Sequence, residues 1–221
     1  MRETPAGHDA LLLDFADDEI PWRRALHAGR TLRAAVEDGR LPHVVDVIPT
    51  AQAVLVQSRP GGGIDRLGVH RVLRAAGDPS TEVDALDPEP VEIRVVYDGD
   101  DLDAVADRLG TDVTGVVAAH TGILWRVQFM GFAPGFGYLV PDEPPDDPVV
   151  ERLCSVPRRA ESRTTVPVGA VAVAAGHSAV YPRSSPGGWN LLGRTDAALW
   201  DLDRDPPALL EPGRRVRFTA S

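Results

Sequence analysis

From Thr164 to its C-terminus the chain contains only short apolar runs, each ended within a few residues by proline or glycine. The runs are TTVPVGAVAVAA, SAVYP, NLLGRT, ALWDL and RRVRFTA. None has the length or the period of an ordinary amphipathic helix, and β-branched residues recur in several of them. Many short strands separated by turn residues are typical of a barrel or a sandwich. This part of the chain therefore predicts a β-rich domain of one of these two kinds.

The N-terminal part of the chain alternates strand and helix patterns. ALLLDF (10–15) has the pattern of a strand, and IPWRRALHAGRTLRAAVEDG (20–39) that of an amphipathic helix. Two β-branched runs around residues 49–52 predict a hairpin, and GGGIDRLGVHRVLRAAG (61–77) predicts a second helix. VEIRVVY (91–97) is a further strand. The order βαββα with a strand to follow suggests a small ferredoxin-like α+β domain.

The stretch 77–90, GDPSTEVDALDPEP, is rich in Asp, Glu and Pro and has little periodicity. This composition is typical of an exposed linker. We therefore predict two domains, an α+β domain over 1–90 and a β-rich domain over 91–221. Within the second, residues 100–110 and 111–122 predict two short helices, and LWRVQFM predicts a buried strand.

Charge and composition exclude several classes of function. The formal net charge of −10 argues against binding to nucleic acid. No apolar run approaches the roughly 20 residues that a membrane-spanning helix needs. All 23 basic residues are arginine, so the chain has no Walker-type lysine, no lysine for a pyridoxal phosphate Schiff base and none to carry covalent biotin. The partners we expect are a small-molecule substrate and other proteins.

The cysteine content and the N-terminus indicate a cytoplasmic protein. Cys154 is the single cysteine and cannot form an internal disulfide, which fits a reducing compartment. The first apolar run, residues 10–13, is short and followed by acidic residues, unlike a secretory signal. The sequence lacks HExxH and paired Cys/His spacings, so we predict no metal site. It also lacks GxSxG, the motif of a serine nucleophile in α/β-hydrolases.

Two stretches are dense in residues that could form a site. GFAPGFGYL (131–139) packs three glycines, three aromatics and a proline after a predicted strand, and is either a turn or part of a site. In YPRSSPGGWNLLGRT (181–195), the consecutive glycines Gly187–Gly188 could direct successive N–H groups at an anion, with Arg183 and Arg194 flanking them. The other interpretation is a tight turn that tucks Trp189 into the core.

The remaining arginines and histidines have simpler interpretations. Three arginines lie close together ahead of a strand, Arg158, Arg159 and Arg163. We interpret them as a solvated cluster, because exposed charges usually need no special role. His120 falls in the last turn of a predicted helix, where a protonated imidazole favours the helix dipole. His177 falls where a hairpin should turn, so we expect it to be exposed, and an acid or base only if another polar group is near.

Three motifs in series resemble the 5-oxoprolinase B-subunit family, also named allophanate hydrolase subunit 1. They are FMGFAPGFGYL, VPRRAESRTTVPVGAVAVAAG and YPRSSPGGWNLLGRT, in this order and at these separations. The resemblance covers nearly the whole chain, since VVDVIPTAQAVLVQ resembles the family's N-terminal hairpin and VEIRVVYDGDDLDAVADRLG its interdomain strand and helix. The family includes a sporulation-kinase inhibitor of bacilli.

The resemblance implies a small N-terminal α+β domain followed by a cyclophilin-like β-barrel. It implies two partners, a homologous C subunit (allophanate hydrolase subunit 2-like) together with a lamB-like A subunit. The three proteins would jointly hydrolyse 5-oxoproline to glutamate, with ATP and Mg²⁺ held between this chain and its partner, and this chain would be inactive alone. Amide resonance makes the lactam unreactive, so phosphorylation of its oxygen would create a better electrophile and leaving group.

Carried onto this chain, the family's motif positions form a candidate site. We expect several to line a cleft facing the partner, with Arg163 or Arg194 holding an anionic group. The candidate catalytic residues are His120, Arg163, His177 and Arg194. The candidate substrate- or ATP-binding residues are Gly131, Phe132, Pro134, Gly135, Phe136, Tyr138, Arg158, Tyr181, Ser185, Pro186, Gly187, Gly188 and Trp189.

The chain departs from the family's usual pattern at a few positions. The family commonly has proline, glutamine and proline where Ser162, His177 and Asp196 stand, and its usual GPDL is reduced to DDL at residues 100–102. The alternatives are a non-catalytic regulator that binds and inhibits a sensor histidine kinase, and a component of a related urea or allophanate amidohydrolase or carboxyltransferase. Prolyl isomerisation is a third, supported by barrel analogy alone.

Overall fold

A computed structural model of the chain describes residues 1–77 and 89–221. The chain forms two compact units, Met1–Asp87 and Pro88–Ser221. Most of the predicted linker, 77–90, falls on residues 78–88 and lies outside the described residues.

The first unit is a four-stranded antiparallel sheet with two helices. Its elements are β1 Arg2–Pro5, β2 Ala10–Asp14, α1 Pro21–Glu37, β3 Val44–Pro49, β4 Ala53–Ser58 and α2 Arg66–Ala76. The strand order is β1-β2-β4-β3, and all neighbours are antiparallel. Gly29 lets α1 pack closely on β3, because a Cβ at this position would lie 3.1 Å from Pro49 Cβ. The predicted order βαββα is therefore confirmed for β2 to α2.

The first unit keeps the split β-α-β arrangement of a ferredoxin-like sheet, with β4 between β2 and β3. Its fourth position is taken by β1, which pairs with β2 as a hairpin. The sequence pattern does not predict β1, because this strand is polar, lies largely exposed at the edge of the sheet and ends in proline. The strand expected to follow α2, Val91–Val95, belongs instead to the sheet of the second unit.

The second unit is built around a seven-stranded sheet. Its elements are β5 Val91–Val95, α3 Leu102–Leu109, α4 Val113–Gly122, β6 Leu124–Met130, β7 Gly137–Pro141, α5 Pro148–Cys154, β8 Arg163–Val166, β9 Ala170–Ala174, β10 His177–Val180, β11 Ser185–Gly187, β12 Asn190–Arg194 and β13 Arg215–Ala220. The strand order is β12-β9-β10-β7-β6-β13-β5. Only β13 and β5 pair in parallel among these neighbours. β8 and β11 form a separate two-stranded ladder.

The seven-stranded sheet curls until its two edges meet. Val96 and Arg194 exchange two backbone hydrogen bonds of 2.9 Å, which join the end of β5 to β12. Gly193 permits this approach, because a Cβ there would lie 2.2 Å from the Val96 carbonyl oxygen. Fully buried side chains such as Trp125 and Phe218 fill the interior. Of the two predicted architectures, the barrel is therefore the one found.

The helices of the second unit follow local signals in the sequence. α3 is followed by Gly110, which caps it in the left-handed conformation that a helix C-terminus favours (φ 67°). α4 is capped by Asp112, whose carboxylate accepts a 2.8 Å hydrogen bond from the Gly115 N–H. Both predicted helices are confirmed. The short helix α5, capped by Asp147, is not among the predicted elements.

Candidate functional site

Aromatic side chains from several strands meet at one place in the second unit. We call them the aromatic cluster: Phe129, Phe132, Phe136, Tyr138, His177, Tyr181 and Trp189. Phe129 and Tyr138 stack with ring centroids 4.3 Å apart, and Tyr138 lies edge-on to Trp189 at 5.7 Å. Phe136 contacts Tyr138, Tyr181 and Trp189 edge-on at 5.0–5.7 Å. The structure thus brings together the aromatic residues of the two glycine-rich motifs.

The segment GFAPGFGYL forms the turn between β6 and β7 and supplies three rings of the cluster. The Gly131 N–H donates to the Phe136 carbonyl oxygen at 3.2 Å, which closes the turn. Phe132 has φ 65°, a left-handed conformation that costs a non-glycine residue about 1–3 kcal/mol. The residue is 55% exposed, and its ring lies edge-on to Phe136 and Tyr181. The strained backbone therefore holds an aromatic ring in solvent at the edge of the cluster.

His177 is half-buried, and the prediction that it is exposed is wrong. The turn before it is made by Ala175 and Gly176, both at positive φ, so His177 already lies at the start of β10. Its Nε2 lies 3.1 Å from the Gln128 side-chain oxygen and its Nδ1 lies 3.0 Å from the Ala175 carbonyl oxygen. Burial lowers the pKa of this imidazole. The ring also packs edge-on to Tyr138, 5.6 Å away.

A buried carboxylate organises the arginines of the PRRAESR segment. Asp101 is 4% exposed and accepts hydrogen bonds from Arg163 Nη2 at 2.9 Å and from the Leu191 N–H at 2.7 Å. Arg159 forms a further ion pair with the same carboxylate. Burial alone would raise the pKa of Asp101, but these hydrogen bonds and positive charges outweigh it and lower the pKa. The interpretation of Arg159 and Arg163 as merely solvated is therefore wrong.

Arg158, in contrast, is exposed and lies beside the aromatic cluster. Its positive charge acts on the hydroxyls of Tyr138 and Tyr181, although burial still raises the pKa of both. A Cβ on Gly188 would lie 3.4 Å from Arg158 Nη2, which places the guanidinium against that backbone. Across residues 1–77 and 89–221 the Arg158 guanidinium has no hydrogen bond or ion pair. This group can therefore accept an anionic partner.

The two adjacent glycines do not form the predicted anion nest. Neither Gly187 nor Gly188 has positive φ, the conformation on which that prediction depended. Both are required by close packing instead. A Cβ on Gly187 would lie 2.5 Å from Tyr181 Oη, and one on Gly188 would lie 2.9 Å from Ser162 Oγ. Trp189 is buried in the core, as the alternative interpretation expected.

Arg194 and Arg163 are both engaged by carboxylates. Arg194 lies at the opposite end of β12 from Trp189, five residues or about 16 Å along the strand. Its Nε and Nη2 contact Asp98 Oδ2 at 3.0 and 2.8 Å, on the exposed surface. No contact in the described part of the chain links Arg194 to the aromatic cluster.

His120 lies in the interior of the barrel. It is fully buried, with Nδ1 2.7 Å from Tyr97 Oη and Nε2 2.9 Å from Ser178 Oγ. Burial lowers the pKa of the imidazole to about 3, so His120 is neutral at physiological pH. The interpretation of His120 as a protonated partner of the helix dipole is therefore wrong.

The remaining motif residues surround the cluster. Pro134 and Pro186 are exposed, Gly131 is half-buried, and Gly135 and Ser185 are buried. Ser185 Oγ has no hydrogen-bond partner among the described residues. In the same part of the chain, no three His, Cys, Asp or Glu side chains are grouped as ligands for a metal ion. None of the described helices has both the length and the hydropathy to span a membrane.

These features define an α+β protein whose second unit is a nearly closed barrel with an aromatic cluster and a free arginine beside it. A family model described as "Carboxyltransferase domain, subdomain C and D" matches residues 1–210. Over 183 residues the chain is 39% identical to the 5-oxoprolinase B subunit of Escherichia coli O157:H7, covering 80% of this chain and 78% of that protein. The chain belongs to the 5-oxoprolinase B-subunit family of carboxyltransferase-domain proteins.

Solved structures share the fold. A crystal structure of TTHA0988 superposes with a TM-score of 0.78 at 36% identity, covering 96% of this chain and 40% of that chain. The present chain therefore spans less than half of the TTHA0988 chain. The Kluyveromyces lactis urea amidolyase matches 99% of this chain and 15% of its own, with a TM-score of 0.67 at 18% identity, which shows likeness of fold alone.

Proposed function

We propose that this chain is the B subunit of an ATP-dependent 5-oxoprolinase, which opens the cyclic amide of 5-oxoproline to give glutamate. It acts with a homologous C subunit together with a lamB-like A subunit. The observation that carries the proposal is the 39% identity, over 78% of its length, to a protein named as the B subunit of 5-oxoprolinase. The geometry of the aromatic cluster and Arg158 supports it.

The aromatic cluster and Arg158 match the two parts of this substrate. 5-Oxoproline has a small flat ring and one carboxylate. A guanidinium fork binds a carboxylate or a phosphate through two parallel hydrogen bonds, and Arg158 is free to do so. The exposed ring of Phe132 and the half-buried ring of Tyr138 provide flat apolar surface nearby. We therefore assign the anion-binding role, expected at Arg163 or Arg194, to Arg158.

Asp101 fixes the backbone on both sides of this site. Through Arg159 and Arg163 it holds the segment that carries Arg158, and through the Leu191 N–H it holds the residues after Trp189. A guanidinium on a fixed backbone loses less entropy when it binds than one on a mobile loop. Asp101 is thus a positioning residue, and it does not contact the substrate itself.

The chemistry of ring opening explains the need for ATP. In the proposed reaction the amide oxygen attacks the γ-phosphorus of ATP and ADP leaves. Water then adds to the activated carbon, and cleavage of the C–N bond frees the amine and leaves an acyl phosphate. A second water hydrolyses the acyl phosphate to give glutamate and phosphate. Cationic groups stabilise the negative charge of the transferred phosphoryl group, a task that arginine and Mg²⁺ share in the absence of lysine. In this proposal Arg158 makes one such contact, and the partner proteins complete the site.

Reconstitution tests the proposal directly. The chain is purified with its C and A partner proteins, assembly is verified by size-exclusion chromatography, and glutamate release is measured with and without ATP. We expect turnover only when all three proteins, 5-oxoproline and ATP are present, and none with this chain alone. An assembled complex that releases no glutamate above the minus-ATP control would contradict the assignment.

A second candidate is a urea or allophanate amidohydrolase or a carboxyltransferase. The description of the matching family model and the fold of the urea amidolyase favour it. The same assembled complex, offered allophanate and urea in place of 5-oxoproline, separates the two candidates. Activity on either compound with none on 5-oxoproline would support the second candidate.

A further inference from the structure

The second unit contains a groove of about 740 Å³ that the aromatic cluster does not reach. It lies between α4, the start of α5 and the segment 141–147 that joins β7 to α5. In the β6–β7 hairpin, Met130 pairs with Gly137 beside the turn, whereas Trp125 pairs with Pro141 at the other end. Five residues of strand, about 17 Å, therefore separate the groove from the turn that carries Phe132.

The floor of the groove is an apolar face of α4. Gly115, Ala118 and Gly122 line it at spacings of three and four residues, so they lie on one side of the helix. Ala118 and Gly122 are exposed, and Val113–Gly122 contains no Asp, Glu, Lys or Arg in a chain that is 25% charged. A helix that is apolar on all sides is normally covered on all sides. This face therefore has the composition of a buried surface while it is open to solvent.

The rim of the groove is acidic and contains two unpaired carboxylates. Asp142 forms an ion pair with Arg126, and Asp147 caps α5 by accepting the Val149 N–H at 2.6 Å. Glu143 and Asp146 are exposed and have no hydrogen bond or ion pair within the described ranges. Among the residues that the structure describes, no Arg or His lines the groove. An occupant must therefore bring positive charge at its edges and an apolar surface at its centre.

We propose that this groove is the docking site for an amphipathic helix of a partner protein that carries arginine or lysine beside a narrow apolar face. The ten residues of α4 span about 15 Å, enough for nearly three turns of a second helix. Small side chains on α4 let the backbone of that helix come close, while Glu143 and Asp146 pair with its cations. The site is independent of the activity proposed above, because it shares no residue with the aromatic cluster.

The test uses a fluorescein-labelled 14-residue amphipathic peptide of leucine, alanine and lysine as probe, with the full chain. Fluorescence anisotropy measures its dissociation constant, and ¹⁵N-resolved NMR of the full chain locates it. We expect micromolar affinity that weakens as salt rises, amide shifts centred on Ala118, Val149 and Val150, and no binding of a peptide with glutamate in place of lysine.

Two pairs of substitutions separate groove binding from general attraction to an acidic protein. Glu143→Arg with Asp146→Arg removes the rim carboxylates, and Asp103→Arg with Asp107→Arg makes the same change of net charge on exposed α3 positions outside the groove. We expect the first pair, and separately Ala118→Trp, to weaken binding about tenfold or more, and the α3 pair less than about threefold. Equal weakening by the two charge pairs, amide shifts centred elsewhere, or no binding of the lysine peptide would overturn the proposal.

Discussion

Arg163 Nη2 donates a 2.9 Å hydrogen bond to Asp101 Oδ1, and this contact ties the arginine-rich segment to the residue before α3. The same carboxylate accepts the Leu191 N–H, so it joins three parts of the chain that are distant in sequence. Two of these parts lead directly to Arg158 and Trp189. The geometry of the candidate site therefore depends on a residue whose carboxylate has its hydrogen bonds and ion pairs with Arg159, Arg163 and Leu191, none of them in the aromatic cluster.

Asp101→Asn is expected to lower the free energy of unfolding, although it replaces no residue of the aromatic cluster and leaves Arg158 in place. Removing the charge leaves Arg159 and Arg163 without their carboxylate, and we expect the free energy of unfolding to fall by about 2–3 kcal/mol. This is less than for a fully buried ion pair, because both guanidinium groups are partly exposed. Urea unfolding measures the change. The matched control is Asp100→Asn, whose exposed carboxylate lies 3.8 Å from Arg163 Nη2 and should contribute below about 0.5 kcal/mol. Equal effects of the two substitutions would contradict the role of Asp101.

Acid should remove the stabilisation by Asp101. Burial works against the ionised form, but Arg163, the Leu191 N–H and Arg159 favour it, so the pKa of Asp101 is lower in the folded than in the unfolded chain. Stability from this group is therefore full above about pH 4, the ordinary aspartate pKa, and is lost as the pH falls further. We expect the difference in unfolding free energy between the wild type and Asp101→Asn to shrink between pH 5 and pH 3. A difference that stays constant would contradict this account.

His120 should make the free energy of unfolding depend on pH in a higher range than Asp101 does. Its pKa is about 3 when folded, because it is fully buried, and about 6.5 when unfolded. The unfolded chain binds the proton first, so stability is full above pH 6.5 and falls by about 1.4 kcal/mol per pH unit below it. Urea unfolding at pH 7 and pH 5 should show this loss in the wild type and not in His120→Gln. The same loss in both proteins would contradict a neutral, buried His120.

Local patterns predict most of the elements of this fold. Helix α4, capped by Asp112, helix α3, capped by Gly110, and the β3–β4 hairpin all have signals within a few residues of their ends. Strand pairing across the chain has no such signal. The parallel contact between β5 and β13, and the bridge from Val96 to Arg194 that closes the barrel, depend on residues about a hundred positions apart.

The candidate site is predictable only in part for the same reason. A dense motif points to Phe136 and Tyr138, and the structure brings them to Trp189. The sequence does not identify Asp101 as a residue of the site, where it is only part of a departure from the family pattern. Nothing local indicates that a carboxylate before α3 will contact Arg163, 62 residues later. His120 and Arg194 carry the chemistry of site residues, but burial and a salt bridge, which the sequence does not reveal, determine their surroundings.

Gly187→Ala tests whether glycine is required here for packing or for backbone freedom. The new Cβ would lie 2.5 Å from Tyr181 Oη and 3.0 Å from a Val166 methyl, so we expect a loss of about 1–3 kcal/mol. Adding Tyr181→Phe to Gly187→Ala removes the hydroxyl that the new Cβ meets, so it should recover part of the lost stability, as a double-mutant cycle would show. The matched control is Gly122→Ala, whose Cβ meets no described atom within 4 Å and should be neutral or stabilising. A loss that Tyr181→Phe leaves unchanged would indicate backbone strain instead.

Arg158→Gln should reduce turnover by the assembled complex while leaving the fold intact. The guanidinium has no bond to any described residue, so its loss should change the unfolding free energy by less than about 0.5 kcal/mol. If the guanidinium binds the carboxylate of 5-oxoproline or a phosphate of ATP, kcat/KM should fall about 10- to 100-fold in Arg158→Gln. Arg158→Lys should retain only part of the activity, since lysine lacks the planar fork. Arg183→Gln, an exposed arginine of the neighbouring segment, is the control and should retain activity. Equal activity of the two glutamine variants would remove Arg158 from the site, whereas loss in Arg158→Gln alone, with unchanged stability, would place the substrate anion beside the aromatic cluster.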